Sequence, residues 1–171
     1  MDHLDNLREF RPLLLPRRGE IFAWLTAGLS MLAWFILSYR RSEYLSLMPF
    51  LAIFFLFAAL SISLGNWIDR RTLMRIEPSG VSFRNGLRNV HLEWPEINRI
   101  EVLNSSLGSK VRVYGEKAHF NFRTLGEFKV GGETKGRMGF AEGETILRII
   151  LKNSELIEVE HAGNSYYYAR Q

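Results

Sequence analysis

The chain has 171 residues, a formal net charge of +4, a mean hydropathy of −0.06 and no cysteine. That is room for one domain and a short appendage, and without cysteine there is no disulfide framework, Cys-ligated metal or thiol nucleophile. The mean hides two unlike halves: residues 21–39 and 44–68 carry no Asp, Glu, Lys or Arg, whereas residues 72–171 hold 14 Lys/Arg and 12 Asp/Glu.

Residues 1–19 are of mixed character. They hold a short apolar patch between Pro12 and Pro16 and four arginines, Arg8, Arg11, Arg17 and Arg18. The first charge-free run, 21–39, has 19 residues, and as a helix spans roughly 28 Å, close to the roughly 30 Å of a bilayer's hydrocarbon core. The second, 44–68, is longer and accommodates by tilting. Tyr39, Tyr44 and Trp67 stand at the ends, where aromatic belts form; Trp24 and Trp34 lie inside the first run with no assigned role. A cleaved signal peptide does not fit, because the first run is too long and ends in Arg40-Arg41 rather than a small-x-small site. A pair of soluble core helices would show a polar stripe, and Phe50 to Leu60 is apolar all round. The spacing therefore predicts a two-helix transmembrane hairpin over 20–68, with helices at about 21–39 and 46–66.

Arginine counts in the short flanks set the expected orientation. There are four before the first span, two in the connection (Arg40, Arg41) and five after the second (Arg70, Arg71, Arg75, Arg84, Arg88). By the positive-inside rule both termini are expected in the cytoplasm, with residues 1–19 a cytoplasmic segment. No ionisable residue falls inside either run, so the hairpin reads as an anchor rather than a conduit. Arg17, Arg18, Arg70, Arg71 and Trp67 are the candidate membrane-interface residues, through attraction to anionic headgroups or simply as topology-setting charge.

From Thr72 the pattern turns to short alternating runs divided by turn signals. Leu73 to Glu77 and Val81 to Arg84 alternate across Pro78-Ser79-Gly80. Asn85-Gly86 is a strong hairpin signal, answered by Leu87 to Leu92. Trp94-Pro95-Glu96-Ile97 breaks the pattern, and Ile100 to Leu103 resumes it. Val111–Tyr114 and His119–Phe122 form a further hairpin. Phe128–Val130 and Met138–Phe140 flank a glycine-rich connection, 131–136. Ile146, Leu147, Ile149, Ile150 and Leu151 predict a largely buried helix at about 144–154, with a strand as the competing reading. A last hairpin follows, Leu156–Glu160 with Tyr166–Ala169.

Three stretches of this half, Ile76-Glu77-Pro78-Ser79-Gly80-Val81, Val90-His91-Leu92-Glu93-Trp94-Pro95-Glu96-Ile97 and Ile100-Glu101-Val102, resemble the first half of the bacterial pleckstrin-homology-like (PH-like) domains found behind membrane hairpins. The resemblance covers about 72–155 and rests on hydrophobic and turn positions, so it speaks to fold more than activity. It implies an α+β chain: the hairpin followed by a small antiparallel β-barrel over 72–171, one open end plugged by the C-terminal helix. It also implies a binding or oligomerisation platform. Phosphoinositide-binding members cluster basic residues around the first hairpin loop. Here that loop is Pro78-Ser79-Gly80, short and uncharged, with only Arg75 and Arg84 nearby.

Chemistry-bearing patterns are sparse. His3, His91, His119 and His161 lack metal-ligand spacing. The glycine-rich stretch around Lys135 lacks the phosphate-loop spacing. Glu93 and Glu96 flank Trp94-Pro95 and read as a turn before a strand rather than an acid–base pair. Asn104-Ser105-Ser106 matches a glycosylation sequon, incidental on the cytoplasmic side. The pI near 9.6 comes without a basic run or stacking motif, so no nucleic-acid partner is expected. Tyr166-Tyr167-Tyr168 cannot share one strand face; Tyr166 and Tyr168 are the candidate partner-binding residues. The expectation is a non-enzymatic, cofactor-free membrane protein that binds a protein partner or a second copy of itself.

Overall fold

A computed structural model of the chain describes residues 8–14, 16–39 and 47–170. These fall into two compact units, one of residues 16–67 and one that joins 8–14 to 68–170.

The first unit is a helix pair. Helix α1 runs Arg17–Tyr39 and helix α2 runs Met48–Arg71, the latter ending in the sheet unit. Both are long and apolar enough to cross a membrane. Each extends past its charge-free run: α1 begins one turn early, and α2 continues through Asp69, Arg70 and Arg71. Those last two arginines face the carbonyl end of the helix, where positive charge is favourable. The large apolar side chains point outward, with Phe22, Phe35 and Phe50 more than 70% exposed, while the buried positions are Ala27, Ala52, Ala59 and Asn66. Small residues let helix backbones approach closely. The expected connection with Arg40, Arg41 and Tyr44 lies outside the described residues, as does His3.

The second unit is built from antiparallel sheets. A four-stranded sheet has the order β1 (Arg8–Phe10), β2 (Leu73–Ile76), β3 (Gly80–Arg84), β4 (Asn89–Glu93). A five-stranded sheet has the order β10 (Ile157–Ala162), β11 (Ser165–Ala169), β5 (Ile97–Leu103), β6 (Lys110–Gly115), β7 (His119–Arg123). A separate hairpin pairs β8 (Gly126–Val130) with β9 (Glu133–Met138). Helix α3 (Gly143–Ser154) lies between β9 and β10 in the chain. The class is α+β as expected, but no closed barrel is found among the described residues. The chain passes from one sheet to the other through a 3-10 turn at Trp94–Glu96, and β5, already paired with β11 and β6, offers β4 no edge. Trp94 is anchored there by donating its indole N–H to the Pro78 carbonyl at 2.8 Å.

The core collects the inward residues of both large sheets with one face of α3. Phe83 stacks on Phe120 at 5.2 Å, Phe120 on Phe122 at 6.4 Å, and Phe122 meets Phe140 edge-on at 5.9 Å. Met74, Val81, Ile97, Ile100, Val111, Val113, Ile146 and Ile150 are fully buried around them. Full burial of one such side chain contributes about 1.5–3 kcal/mol. The α3 face is Gly143, Ile146, Leu147, Ile150 and Ser154, the helical spacing that decides against a strand there.

Three local outcomes differ from the sequence expectations. Strand β1 belongs to the N-terminal segment and pairs Arg8 with Ile76, Glu9 with Arg75 and Phe10 with Met74; Arg75 also ion-pairs with Glu9 at 2.8 Å. The glycine-rich connection shrinks to Gly131-Gly132, both at positive φ, and the following residues form β9. The Asn85-Gly86 hairpin forms, but with a four-residue loop, because the Asn85 side chain accepts from the backbone of Leu87 and Arg88 at 3.2 and 2.8 Å.

Strands β7, β8 and β9 and helix α3 converge on Thr124, whose hydroxyl accepts from the Ser109 N–H at 3.0 Å. The backbone approach is so close that a Cβ at Gly126 would overlap the Leu107 carbonyl, and one at Gly139, at φ +89°, would overlap that of Thr124. Glycine alone fits both constraints at Gly139.

Candidate functional site

Within the helix pair, one polar cluster interrupts the apolar surface. Glu20, in the first turn of α1, accepts from Ser63 at 2.9 Å and from Asn66 at 3.0 Å. The Trp24 indole donates to the same Ser63 hydroxyl at 2.8 Å. Ser63 and Asn66 are three residues apart and so share a face of α2; Glu20 and Trp24 are four apart on α1. The cluster pins the helices together near the ends of their apolar runs and gives Trp24 a role that its position in the sequence alone does not disclose.

The candidate interface residues occupy helix ends. Arg17 and Arg18 are exposed in the first turn of α1, Trp67 is 40% exposed near the end of α2, and Arg70 and Arg71 are exposed in its last turn. Arg70 and Arg71 are placed favourably for the helix dipole. Arg17 and Arg18 stand at the positive end, a placement that costs about 0.3–1 kcal/mol per charge, so helix stability is not the reason for them.

The tyrosines divide as strand alternation requires. Tyr166 and Tyr168 pack against the core cluster, with His161 stacked on Tyr166 at 4.3 Å. Burial pushes the Tyr168 phenol above the usual tyrosine range, and Glu158, Tyr166 and Glu144 push it the same way. Tyr167 lies on the opposite face, 5.7 Å beneath the Arg99 guanidinium.

That opposite, outward face of the five-stranded sheet is the most organised polar surface in the unit. Register sets Tyr167, Glu101 and Arg112 side by side across β11, β5 and β6. Glu101, only 8% exposed, is held by Arg99, by Arg112 at 3.4 Å and by the Tyr114 hydroxyl at 3.2 Å. Arg99 also covers the Tyr114 ring at 5.8 Å. The Arg112 guanidinium is pushed up by Tyr114 first and Glu101 second, so it stays charged. Tyr114 stacks on His119 at 5.9 Å, and His119 faces Arg88 at 3.3 Å. Arg99, Lys110, Arg112 and Arg123 thus share this face with one carboxylate, and the surface is basic and aromatic. The four cations did not stand out in the sequence, because they are spaced along three strands and meet only through register.

A cavity of about 350 Å³ opens within the sheet unit. Its apolar wall is Pro12, Ile68, Phe83, Phe122 and Phe140, and its polar groups are Asp69, Thr72, Asn85, Lys110, Asn121 and Arg123. Thr72 is already used, donating to the Ile68 carbonyl at 2.8 Å.

The remaining sequence candidates have structural roles. Glu96 accepts from the Glu93 backbone N–H at 3.0 Å and so closes the 3-10 turn. His91 meets the Ser82 hydroxyl at 2.8 Å. Asn104 of the sequon accepts from Ser109 at 2.7 Å. Among the described residues no group of three or more His, Cys, Asp or Glu converges as a metal site would require. No protein-family model matches the chain, no curated protein matches it, and no solved structure matches it.

Proposed function

We propose that the chain is a non-enzymatic, membrane-anchored binding module of a bacterial cell membrane. Helices α1 and α2 cross the bilayer as an antiparallel pair, and a PH-like sheet domain sits at the cytoplasmic face, where it binds a protein partner or a second copy of the chain. The observation that carries this reading is the pairing of β1 with β2. β1 precedes the apolar hairpin and β2 follows it, yet both belong to one sheet. A sheet with open edges does not enter hydrocarbon, so the two flanks lie on the same side and the chain crosses an even number of times. The outward Phe22, Phe35 and Phe50 fit lipid as their solvent. Tethering at both flanks confines the domain to a thin layer, where weak contacts suffice because effective concentration is high.

The surface that suits such contacts is the basic, aromatic face around Arg99, Arg112, Tyr114 and Tyr167. Aromatic and arginine side chains are the usual anchors of protein interfaces. Cross-linking the full-length chain in native membranes tests the reading. The double variant Arg99→Glu, Tyr167→Ala is expected to lose the cross-linked species, and an unchanged pattern would sink the proposal.

A second reading, sensing of an anionic lipid surface, is favoured by Arg17 and Arg18, which stand against the helix dipole, together with Arg70 and Arg71. Each basic residue near such a surface contributes about 1 kcal/mol. Association of full-length proteoliposomes with anionic vesicles should then weaken steeply with salt; salt-independent association rejects it.

A further inference from the structure

The cavity at the end of α2 holds a charge arrangement that no internal contact explains. Lys110 and Arg123 are directly opposite each other on β6 and β7. Cross-strand partners have Cβ atoms about 4.5–5.5 Å apart, and like charges so placed repel. Among the described residues neither makes an ion pair; Arg123 reaches only the Met138 sulfur, at 3.5 Å. Asn121, two residues before Arg123, lies on the same side of the strand and lines the same cavity. Asn85 spends its carbonyl oxygen on its own turn, which leaves its NH2 group as a donor. Four side chains able to donate therefore line one cavity, and two of them carry full positive charge. The remaining charge in the cavity is Asp69, also without an ion pair among the described residues.

We propose that this cavity binds a phosphodiester carrying an ammonium group. The phosphate bridges Lys110 and Arg123 and accepts from Asn85 and Asn121, and Asp69 pairs with the ammonium. An anion between the two cations converts their repulsion into two charge-assisted hydrogen bonds, the strong kind. A carboxylate beside them would disfavour a plain phosphate and favours a zwitterion. The volume of about 350 Å³ sits at the small end of the roughly 300–1,000 Å³ range of ligand sites. Two sources present this chemistry, an aminophospholipid headgroup and a free glycerophosphodiester. Ile68, which forms part of the wall, is the last residue of the charge-free run, and at about 1.5 Å of rise per residue Asp69 lies at headgroup level. That favours the lipid, and this preference alone rests on the membrane reading above. The cavity adjoins Asn85, at the opposite end of β3 from the Pro78-Ser79-Gly80 turn.

The test uses the full-length chain, delipidated in an uncharged detergent, titrated calorimetrically with dihexanoyl phosphatidylethanolamine, dihexanoyl phosphatidylglycerol, glycerophosphoethanolamine and inorganic phosphate. The ethanolamine compounds should bind more tightly than phosphatidylglycerol or phosphate. Lys110→Gln and Arg123→Gln should each weaken binding about tenfold or more, with Arg123→Lys restoring part of it. Asp69→Asn should retain phosphate binding and lose the preference for ethanolamine. Tighter binding of the short-chain lipid than of glycerophosphoethanolamine assigns the lipid source, and equal binding assigns the soluble one; both uphold the site. Absence of saturable binding by the unsubstituted chain overturns it without any variant having to fold. So do affinities unchanged in both glutamine variants, or equal affinities for the ethanolamine and glycerol headgroups. Because detergent-solubilised chain is used, these outcomes do not depend on whether α1 and α2 lie in a membrane.

Discussion

The helix pair and the sheet unit are built inside out relative to each other. In the sheet unit five of the six phenylalanines are inside: Phe10, Phe83, Phe120, Phe122 and Phe140 are each no more than 7% exposed, and Phe128 on the β8–β9 hairpin is the exception. In the helix pair Phe22, Phe35 and Phe50 face outward, and what is buried is alanine and an asparagine. Each region also ties down one carboxylate: Glu101 of the sheet unit is held by Arg99, Arg112 and Tyr114, and Glu20 of the helix pair by Ser63 and Asn66. Under the membrane reading proposed above, the same residue types serve opposite roles because the two regions face different solvents: water drives Phe120 into a core, and lipid gives Phe35 no reason to hide.

Substituting one phenylalanine in each region tests that contrast most strongly. Phe120→Ala removes a ring packed against Phe83 and Phe122 and should cost about 3–5 kcal/mol of sheet-unit stability, read from denaturant unfolding of the full-length chain in detergent. Phe35→Ala leaves no cavity and should change stability by less than about 0.5 kcal/mol. Comparable losses in both would mean that α1 is a soluble-type core helix.

Polar contacts give smaller effects. Glu101→Ala strands Arg99, Arg112 and Tyr114 without their common acceptor. Both arginines are about half exposed, so water takes up most of the loss and about 1 kcal/mol is expected, measured the same way. Asn66→Ala removes one donor from Glu20. Interhelical hydrogen bonds in lipid average about 0.6 kcal/mol, so a loss of that order is expected in the resistance of the helix pair to denaturing detergent, with the sheet unit unaffected. If Asn66→Ala destabilised the sheet unit instead, the two regions would not be independent.

The smallest effect is a pH dependence confined to the sheet unit. Burial raises the Tyr168 phenol, so the folded chain holds that proton more tightly than the unfolded chain. The resulting stability is fully present below the ordinary tyrosine range near pH 10. It is lost as pH rises through that range toward the folded value, because the unfolded chain ionises first. Tyr168→Phe should therefore flatten the stability profile above about pH 10 and leave it unchanged at neutral pH. A parallel decline in both proteins would remove Tyr168 as the cause.

What was legible in the sequence was whatever is encoded locally. Charge-free runs mark α1 and α2, Asn85-Gly86 marks the β3–β4 hairpin, and Ile146, Leu147 and Ile150 mark α3. What was illegible depends on residues far apart. Arg8-Glu9-Phe10 is too short to show alternation and becomes a strand only because β2, more than sixty residues later, offers an edge. Glu133 to Met138 pairs as β9 only once Gly131-Gly132 folds it back on β8. The cavity draws side chains from Pro12 to Phe140, and the basic face is assembled by register between β5, β6, β7 and β11. Resemblance to a PH-like domain led to the expectation of a closed barrel; closure would need the edge strands β1 and β4 to pair with β7 and β10, and no such pairing is found among the described residues.

The absence of cysteine permits a clean test of the central claim, that α1 and α2 lie in lipid with both flanks on one side. Single-cysteine variants Arg11→Cys, Phe35→Cys, Ser42→Cys and Glu116→Cys are treated in sealed, oriented membrane vesicles with a membrane-impermeant maleimide. Positions 11 and 116 should label together, position 42 only when the opposite side is exposed, and position 35 not at all until the membrane is dissolved. Labelling of position 42 from the same side as 11 and 116, or ready labelling of position 35 in intact vesicles, would contradict the account.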